Sequence, residues 1–580
     1  MRFGVFYEHQ LPRPWVADDE HRLLTDALEQ IELADRLGID YAWEVEHHFL
    51  EEYSHSSAPE VFLAAASQRT KRIRLGHGIV HALPAVNHPA RIAERIATLD
   101  LVSGGRVDFG TGESSSAAEL GGFGVNRDDK RAIWAETVDV VTRMFVESPF
   151  PGYQGDYLTM PPRTIVPRPL QRPHPPLWVA CSRRETILLA ARSGIGALSF
   201  SFVEPEDAAR WVNEYYELIC SSECVPRGFA VNPNIAIVLP MMMHPDEQTA
   251  IERGIDGAHF FGYSLAHFYG GAAHVVGETD LWQSFTANRA EHGFAREIVS
   301  ADAAPLAVRL LQAGTGSLRG AIGTPAQVTE LLARYEAVGI DQVIFVMQAG
   351  KNRHEHICES LELFASEVLP RFADGREKAE AAKADRLAAA VEAALARRAP
   401  ARSLGQPYTI DEAAEVAAAS RSALAPVAVR VGQAGSRAAA AIRHQAGTGT
   451  KHLVSRATDA QLERFFGAGR AQRVIFTRMA GRFDPARSAG FAGSIVYDLG
   501  LSDGTRMSWT IEVRDGKATA SPGGAGQAAV TIRLPLTDFV RGIVSGESFL
   551  PMLTAGTMTV DGDMLVASRL GEMFGARSAY

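Results

Sequence analysis

Alternation of strand-like and helix-like segments through about the first 370 residues constrains this chain more than any other feature. "RFGVFY" (residues 2–7) reads as a strand, and Leu24, Leu28, Ile31, Ala34 and Gly38 then mark the apolar stripe and stop of a helix. "YAWEVEHHF" returns to a strand pattern, with a helix around residues 59–67 after it. "IRLGHGIVHAL" gives another strand, "HPARIAERIATLDLVSGG" a helix stopped by glycine, and "RVDFGTG" a strand ending in glycines. "PLWVACS" and "GALSFSF" flank the helix of "RRETILLAARSG". "TPAQVTELLARYEAVGI", "DQVIFVMQAG" and "HEHICESLELFASEVLPRF" add one more helix–strand–helix. Repeated βα units over this length predict parallel strands, closed most economically into a (β/α)8 TIM barrel. An open doubly wound sheet is the alternative, but no GxGxxG follows the first strand.

The chain has 580 residues, too many for one core, and its composition shifts after residue 372. Residues 376–402 are rich in Ala and charge, with only Leu387, Val391 and Leu395 in line, which predicts an exposed, weakly packed helix. Residues 373–455 as a whole read as an Ala-rich helical linker. In 456–580, "GSIVYDLGL", "RMSWTIEV", "ATASPG" and "AAVTIRL" are strand candidates, with Asp515-Gly516 as a hairpin turn. "PLTDFVRGIVSG" and "GDMLVASRLGEMF" are helix candidates, so this part is a small α+β domain.

Hydrophobic residues at 46% beside charged ones at 22% describe an ordinary globular protein. A net charge of −10 argues against nucleic acid as a partner. Membrane insertion is not expected, since no apolar run approaches the roughly 20 residues needed to span a bilayer. The N-terminus reads as a first strand rather than a signal peptide. Cys181, Cys220, Cys224 and Cys358 lack paired metal-binding spacing. A reduced, cytoplasmic setting is the expectation.

In such a barrel, sites are built where strands end and loops begin. Three strand ends carry chemistry-bearing sequence: Glu46, His47 and His48; "GTGESSS" (residues 110–116); and "CSRRET" (residues 181–186). Zinc would need further ligands or the spacing of HExxH, and neither is present, so no metal is expected. A neutral imidazole in a dry barrel mouth suits work as a base or hydrogen-bond donor. Gly110 and Gly112 allow close backbone approach to a flat ligand or an anion, with Thr111 between them. Ser182 is placed to cap a helix whose free N–H groups, with Arg183, Arg184 and Thr186, suit a phosphate. Each stretch also has a plain structural reading: a buried or solvated histidine, an ordinary turn, a well-capped helix.

The span from residue 1 to 372 resembles the bacterial luciferase-like family of flavin-dependent monooxygenases. The likeness rests on "EHHF" (46–49), "RLGHGIV" (74–80), "HPARIAERIATLDLVSGGRVDFGTG" (88–112), "PHPPLWVACS" (173–182), "GTPAQV" (323–328) and "GIDQVIF" (339–345), in that order. It implies a dimeric (β/α)8 barrel that binds reduced FMN at the C-terminal ends of its strands. It also implies that His47 handles protons beside the flavin, with Glu46 and His48 in support. Gly78 and Ile79 then lie under the ring, and Ser182, Arg183 and Thr186, with Arg184 as a further cation, match a phosphate-binding stretch. Three positions depart from the pattern the resemblance implies: Gly112 falls where luciferase itself has a reactive cysteine, Glu113 where luciferase has a phosphate-binding arginine, and Gln348 where the family has a carboxylate near the ring edge. Residues 460–574 resemble the sterol-carrier-protein type of lipid-binding domain through "SWTIEVRDGKATASPG", "AAVTIRLPLTDFVRGIVSG" and "GTMTVDGDMLVASRLGEMF".

The resemblance implies a two-component monooxygenase that inserts one oxygen atom from O2 into a hydrophobic or polycyclic small molecule through a flavin hydroperoxide. The resemblance further implies that reduced FMN comes from a separate flavin reductase, and no nicotinamide motif is visible in the chain. A deazaflavin-dependent hydride-transfer enzyme, or a non-catalytic flavin- or lipid-binding partner subunit, are the alternatives. The aromatic run "AHFFGYSLAHFYGGAAH" (258–274) reads either as a lid or as a core helix. The C-terminal domain either holds a hydrophobic substrate or serves as a structural module.

Overall fold

The computed structural model describes residues 1–200, 204–270, 272–287 and 319–411, and, further along, 458–466, 469–485, 488, 490–524, 526, 528–545, 557–563, 566, 570 and 573–574. Two compact units divide the chain, residues 1–426 and 427–580.

Eight parallel strands form the first unit: β1 (Arg2–Tyr7), β2 (Tyr41–Glu44), β3 (Arg74–His77), β4 (Val107–Gly112), β5 (Leu177–Cys181), β6 (Gly196–Ser199), β7 (Ile235–Met243) and β8 (Gln342–Gln348). Each pairs with the next, and β8 returns to β1, so the sheet closes as the sequence pattern predicts. The expected strand "IRLGHGIVHAL" breaks after His77. Gly78 and Ile79 step out of β3, and Val80–His81 then pairs beside Thr111 and Gly112 of β4. Register levels one rim: Tyr7 stands opposite both Glu44 and Gln348, and Glu44 opposite His77. Residues just beyond these partners therefore meet at one mouth.

Inward side chains Phe6, Trp43, Trp178, Leu198, Ala236, Val238, Ile344 and Val346 fill the barrel. Trp43 and Trp178 meet edge to face at 5.4 Å. A second apolar layer, including Phe3, Phe345 and Phe364, joins the strands to the surrounding helices. Helix Glu247–Gly270 carries most of the aromatic run and buries Phe260, Phe261, Ser264 and Phe268. Up to Gly270 that run is thus helical and contributes to the core.

At the opposite end, helix Arg376–Arg397, read from the sequence as part of the linker, packs under the barrel. Arg2 binds Glu380 through two 2.7 Å bonds, Lys383 reaches Asn234 (2.7 Å) and Asp341 (2.5 Å), and Arg376 reaches Asp40 (3.1 Å). The docking is largely polar, which is why its apolar stripe is thin.

The second unit has a five-stranded sheet. Its members are β9 (Gly493–Gly500), β10 (Arg506–Arg514), β11 (Lys517–Pro522), β12 (Val530–Pro535) and β13 (Thr559–Gly562), in the order β11-β10-β9-β12-β13. Asp515 and Gly516, both at positive φ, make the expected hairpin turn. Phe476 lies flat between Trp509 (5.0 Å) and Phe539 (5.3 Å), and Gln472 accepts the Trp509 indole N–H at 2.8 Å. Most of the expected terminal helix "GDMLVASRLGEMF" lies outside the described residues. Among the described residues, no helix is long and apolar enough to cross a membrane.

Candidate functional site

His47 stands between two carboxylates delivered by other strands. Glu8 follows β1, His47 follows β2, and Glu119 lies on the short helix Ala117–Gly122 after β4. The His47 Nδ1 atom is 3.0 Å from Glu119 Oε1, and Nε2 is 3.5 Å from Glu8 Oε2. His47 N–H donates to Ser56 O at 2.8 Å, which sets the ring's height. Glu119 is held in turn by the Ser114 hydroxyl on Oε2 (2.6 Å) and the His48 N–H on Oε1 (3.0 Å). Tyr53 donates to Glu8 Oε1 (2.9 Å), and the Tyr269 hydroxyl lies 3.4 Å from His47 Nδ1.

These contacts set the charges. Burial disfavours a charged His47, but Glu8 and Glu119 together outweigh it and push its pKa up to about 9. Burial alone would raise Glu119; the His47 imidazolium overrides it and holds the acid down to about 2. For Glu8 burial prevails over His47, and its pKa is pushed up to about 7. At neutral pH His47 is therefore a cation paired with Glu119, and Glu8 is the group that titrates. The neutral imidazole expected from sequence is corrected, because two buried carboxylates absent from the local motif face it. His81 keeps the neutral form, since burial lowers its pKa.

Glu46 turns toward a different set. Its Oε1 accepts from Asn87 Nδ2 (2.7 Å) and meets His48 Nε2 (3.1 Å), while Oε2 accepts the His81 N–H (2.8 Å). Burial raises its pKa, but His48 and the other donors outweigh this and leave it below the usual carboxylate range. Glu46 and His48 thus tie the β2 loop to the Val80–His81 segment. Donor atoms of Glu46, His48 and His81 lie within 4.8 Å of one another, as do those of His47, His81 and Glu119. Sequence spacing gave neither set, because His81 and Glu119 arrive from other strands; in both, the carboxylate already serves N–H and imidazole partners.

The glycine stretch serves close packing first. A Cβ on Gly110 would lie 1.9 Å from His77 O, and one on Gly112 would lie 2.6 Å from Ile79 Cδ1. Gly78 N–H donates to Glu44 O at 2.7 Å, bringing Ile79 over Gly112. Thr111 faces the helical layer: its hydroxyl donates to Trp178 O and accepts from Trp134 Nε1, both at 3.1 Å.

Of the third stretch, Arg183 rather than Ser182 is the N-cap of helix Arg184–Arg192. Chain extension continues through Arg183, at φ −158°, and the Thr186 hydroxyl closes the turn on Arg183 O at 2.7 Å. The cap expected at Ser182 is thereby corrected. Arg184 is engaged by Glu214 through bonds of 2.6 and 2.5 Å, whereas Arg183 is exposed beside Glu185. Glu113, which stands where a cation was expected, holds two: Arg131 at 2.7 Å and Lys130 at 3.7 Å. Burial lowers the Lys130 pKa and Glu113 supports it, while Arg127, Arg131 and Arg183 act on it as like charges. Two members of this positive cluster, Lys130 and Arg131, thus come from the start of helix Lys130–Val146, and Arg183 comes from the cap of the helix after β5. Gln348 exchanges two bonds with the Gln10 backbone, at 3.0 and 2.9 Å, and fixes the loop after β1.

Sequence reading missed Glu8, His81, Glu119, Tyr53, Tyr269, Lys130 and Arg131. Two had a visible signal. Glu8 directly follows "RFGVFY" at a strand end, and Glu119 stands three residues after Ser116 in what reads as a capping box. The Ser116 hydroxyl does accept from Ala118 N, but Glu119 turns to His47 instead of closing the box. His9, Phe49, Glu51 and Ser114, all on these rim loops, have positive φ, the backbone strain common where loops are shaped for function.

Residues 1–342 match the luciferase-like monooxygenase family, and residues 480–575 match the SCP-2 sterol transfer family. The uncharacterized protein y4wF of Sinorhizobium fredii is 35% identical over 173 residues, 30% of this chain and 49% of that protein; the chain thus spans about half the length of this relative. The oxygenase component of flavin-dependent trigonelline monooxygenase from Acinetobacter baylyi is 25% identical over 65% of this chain and 97% of its own length. The crystal structure of monooxygenase RslO1 from Streptomyces bottropensis superimposes with a TM-score of 0.51 at 26% identity, covering 64% of this chain and 100% of that one. With more than half of its length matched and its rim built as described, the chain belongs to the luciferase-like monooxygenase family and carries an SCP-2 sterol transfer domain in its C-terminal part.

Proposed function

We propose that this chain is the oxygenase component of a two-component system: it uses reduced FMN from a separate reductase and inserts one atom of O2 into a hydrophobic or polycyclic small molecule. The observation that carries this reading is the buried Glu8–His47–Glu119 arrangement under an aromatic roof. Tyr53 lies against Phe261, Phe268 and Tyr269, with ring centroids 5.9 to 6.3 Å apart. An imidazolium fixed by buried carboxylates and shielded from water stabilises a neighbouring anion better than water does. Its Nε2–H is the one offered to a ligand, because its carboxylate contact is longer than that of Nδ1.

The donor set fits the cofactor. Ile79 and the backbone beside it would carry the ring, and Lys130, Arg131 and Arg183 would receive the phosphate. When bound, reduced FMN supplies the electrons that activate O2. The chain's part is to orient it, keep water out with the aromatic roof, and hold a proton at His47 Nε2. The relative whose name specifies an oxygenase component, matched over nearly its full length, supports the two-component form. The C-terminal domain, in this reading, retains the hydrophobic substrate, and the working form is a cytoplasmic homodimer.

Anaerobic titration with reduced FMN, and in parallel with a reduced deazaflavin, tests the cofactor. Binding of FMN at micromolar affinity, then substrate-dependent oxygen incorporation from labelled O2 once a reductase is added, is the expected outcome. Tight binding of the deazaflavin alone would overturn it in favour of hydride transfer.

A further inference from the structure

Glu8 is more than a second counter-charge. Its side chain is 2% exposed, and Oε1 accepts from Tyr53. Oε2 is buried, has no hydrogen-bond partner among the described residues, and points at His47 Nε2 from 3.5 Å. A buried carboxylate ordinarily has both oxygens satisfied, because an unmet acceptor costs its desolvation. A carboxylic acid is different: it keeps a proton of its own on one oxygen. One filled and one open oxygen beside an imidazole nitrogen therefore match a carboxyl that alternates between the two forms.

Groups around it leave that part to Glu8. Glu44 also leaves one buried oxygen, Oε2, without a hydrogen-bond partner among the described residues. Its Oε1 is engaged by His9 Nε2 at 2.9 Å and by the Ser56 hydroxyl, and it is Glu8 whose open oxygen faces His47. Glu119 carries the donors from Ser114 and His48 besides His47 and stays ionised. Glu46 is held by Asn87, His48 and the His81 N–H, and His81 stays neutral. Tyr53 and Tyr269 keep their protons, since burial raises both phenols well above their ordinary range.

We propose that Glu8 is a positioning residue acting through His47: it stores the proton that restores His47 after His47 has given its own to a bound ligand, with Glu119 as the fixed counter-charge. In balance, the N–H at His47 Nε2 breaks when the proton leaves. The O–H at Glu8 Oε2 then breaks and a new N–H forms at Nε2, leaving a carboxylate beside an imidazolium; solvent later returns a proton to Glu8. No electrons change hands. Burial, which brings the Glu8 carboxyl up to about 7, places this exchange near neutrality. The inference rests on reading His47 as the proton-handling residue of a flavin site.

Its test uses the full chain without ligand, so that it can fail separately from flavin binding. Imidazole NMR signals of His47, assigned by comparison with His47→Gln, are followed from pH 5 to pH 10. Wild type is expected to show two steps, a lower one from Glu8 sensed at His47 and a higher one from the ring itself. In Glu8→Gln the lower step disappears and the higher one falls by about one pH unit or more, as expected on losing one of two adjacent carboxylates. Tyr53→Phe keeps the carboxyl and removes only its donor, so the lower step should move upward; this arm stands if Glu8→Gln does not fold. A single step in wild type, a lower step that survives Glu8→Gln, or one that ignores Tyr53→Phe would each overturn the proposal.

Discussion

Glu119 receives on one carboxylate oxygen both the Nδ1–H of His47 and the backbone N–H of His48, each at 3.0 Å. That oxygen thereby fixes the ring's orientation and its charge together. Glu119→Gln keeps the shape and removes the counter-ion. Turnover is expected to fall at least about tenfold. The alkaline limb of the pH–rate profile should move to lower pH, because His47 loses one of the two charges that raise it. A slower enzyme with an unmoved alkaline limb would show Glu119 to be a packing residue only.

Arg131 pairs with Glu113 and helps set the positive cluster above β4 and β5. Arg131→Ala should weaken FMN binding by about tenfold, the worth of one charge-assisted bond. It should leave riboflavin, which lacks the phosphate, unaffected. Glu113→Gln frees both cations and should tighten FMN relative to riboflavin. Fluorescence titration of the two flavins against the three proteins decides it. Equal losses for FMN and riboflavin in Arg131→Ala would move the phosphate elsewhere.

The barrel was legible because its signal is periodic and local: each strand and helix announces itself by spacing, and closure follows from repetition. His47 was legible because it ends a strand. Its charge was not, since that depends on Glu8 and Glu119, which lie 39 positions before it and 72 after it in the chain. Glu113 misled for the same reason, as its partners Lys130 and Arg131 sit a loop and a helix turn away. Ser182 looked like a cap by residue type, but the extended backbone at Arg183 moved the helix start one residue on. The docked helix Arg376–Arg397 read as exposed because hydropathy does not register salt bridges to distant strands.

Gly110 shows how little freedom the rim has. An added methyl would overlap His77 O, a backbone atom that cannot swing aside. Gly110→Ala should therefore cost about 1–3 kcal/mol of stability, in line with overpacking of a tight core. Denaturant unfolding reads the loss, and flavin affinity should fall with it, since Ile79 rides on the same step of the chain. A variant as stable as wild type would mean that the break at Gly78–Ile79 is softer than drawn.

Opposed pKa shifts around His47 also predict how stability depends on pH. His47 is raised, so its pairing stabilises the fold fully below the unfolded value of about 6.5 and is lost as pH rises through about 9. Glu119 is lowered, so its share is present above about 4.5 and is lost as pH falls through about 2. Glu8 is raised as an acid: keeping it buried costs nothing below about 4.5, and the cost grows as pH climbs through about 7. The His47 and Glu119 terms both favour the folded state between roughly pH 4.5 and 6.5, while the Glu8 cost rises across that window and levels off above about 7. Other buried groups, such as His77 and His174, which burial lowers to about 4, add their own slopes, so the comparison is made by difference. Subtracting the Tm profile of His47→Gln from that of wild type should leave a gap that is widest near pH 6 and closes toward pH 9.5. A gap independent of pH across that range would mean that His47 stabilises by packing and carries no buried charge.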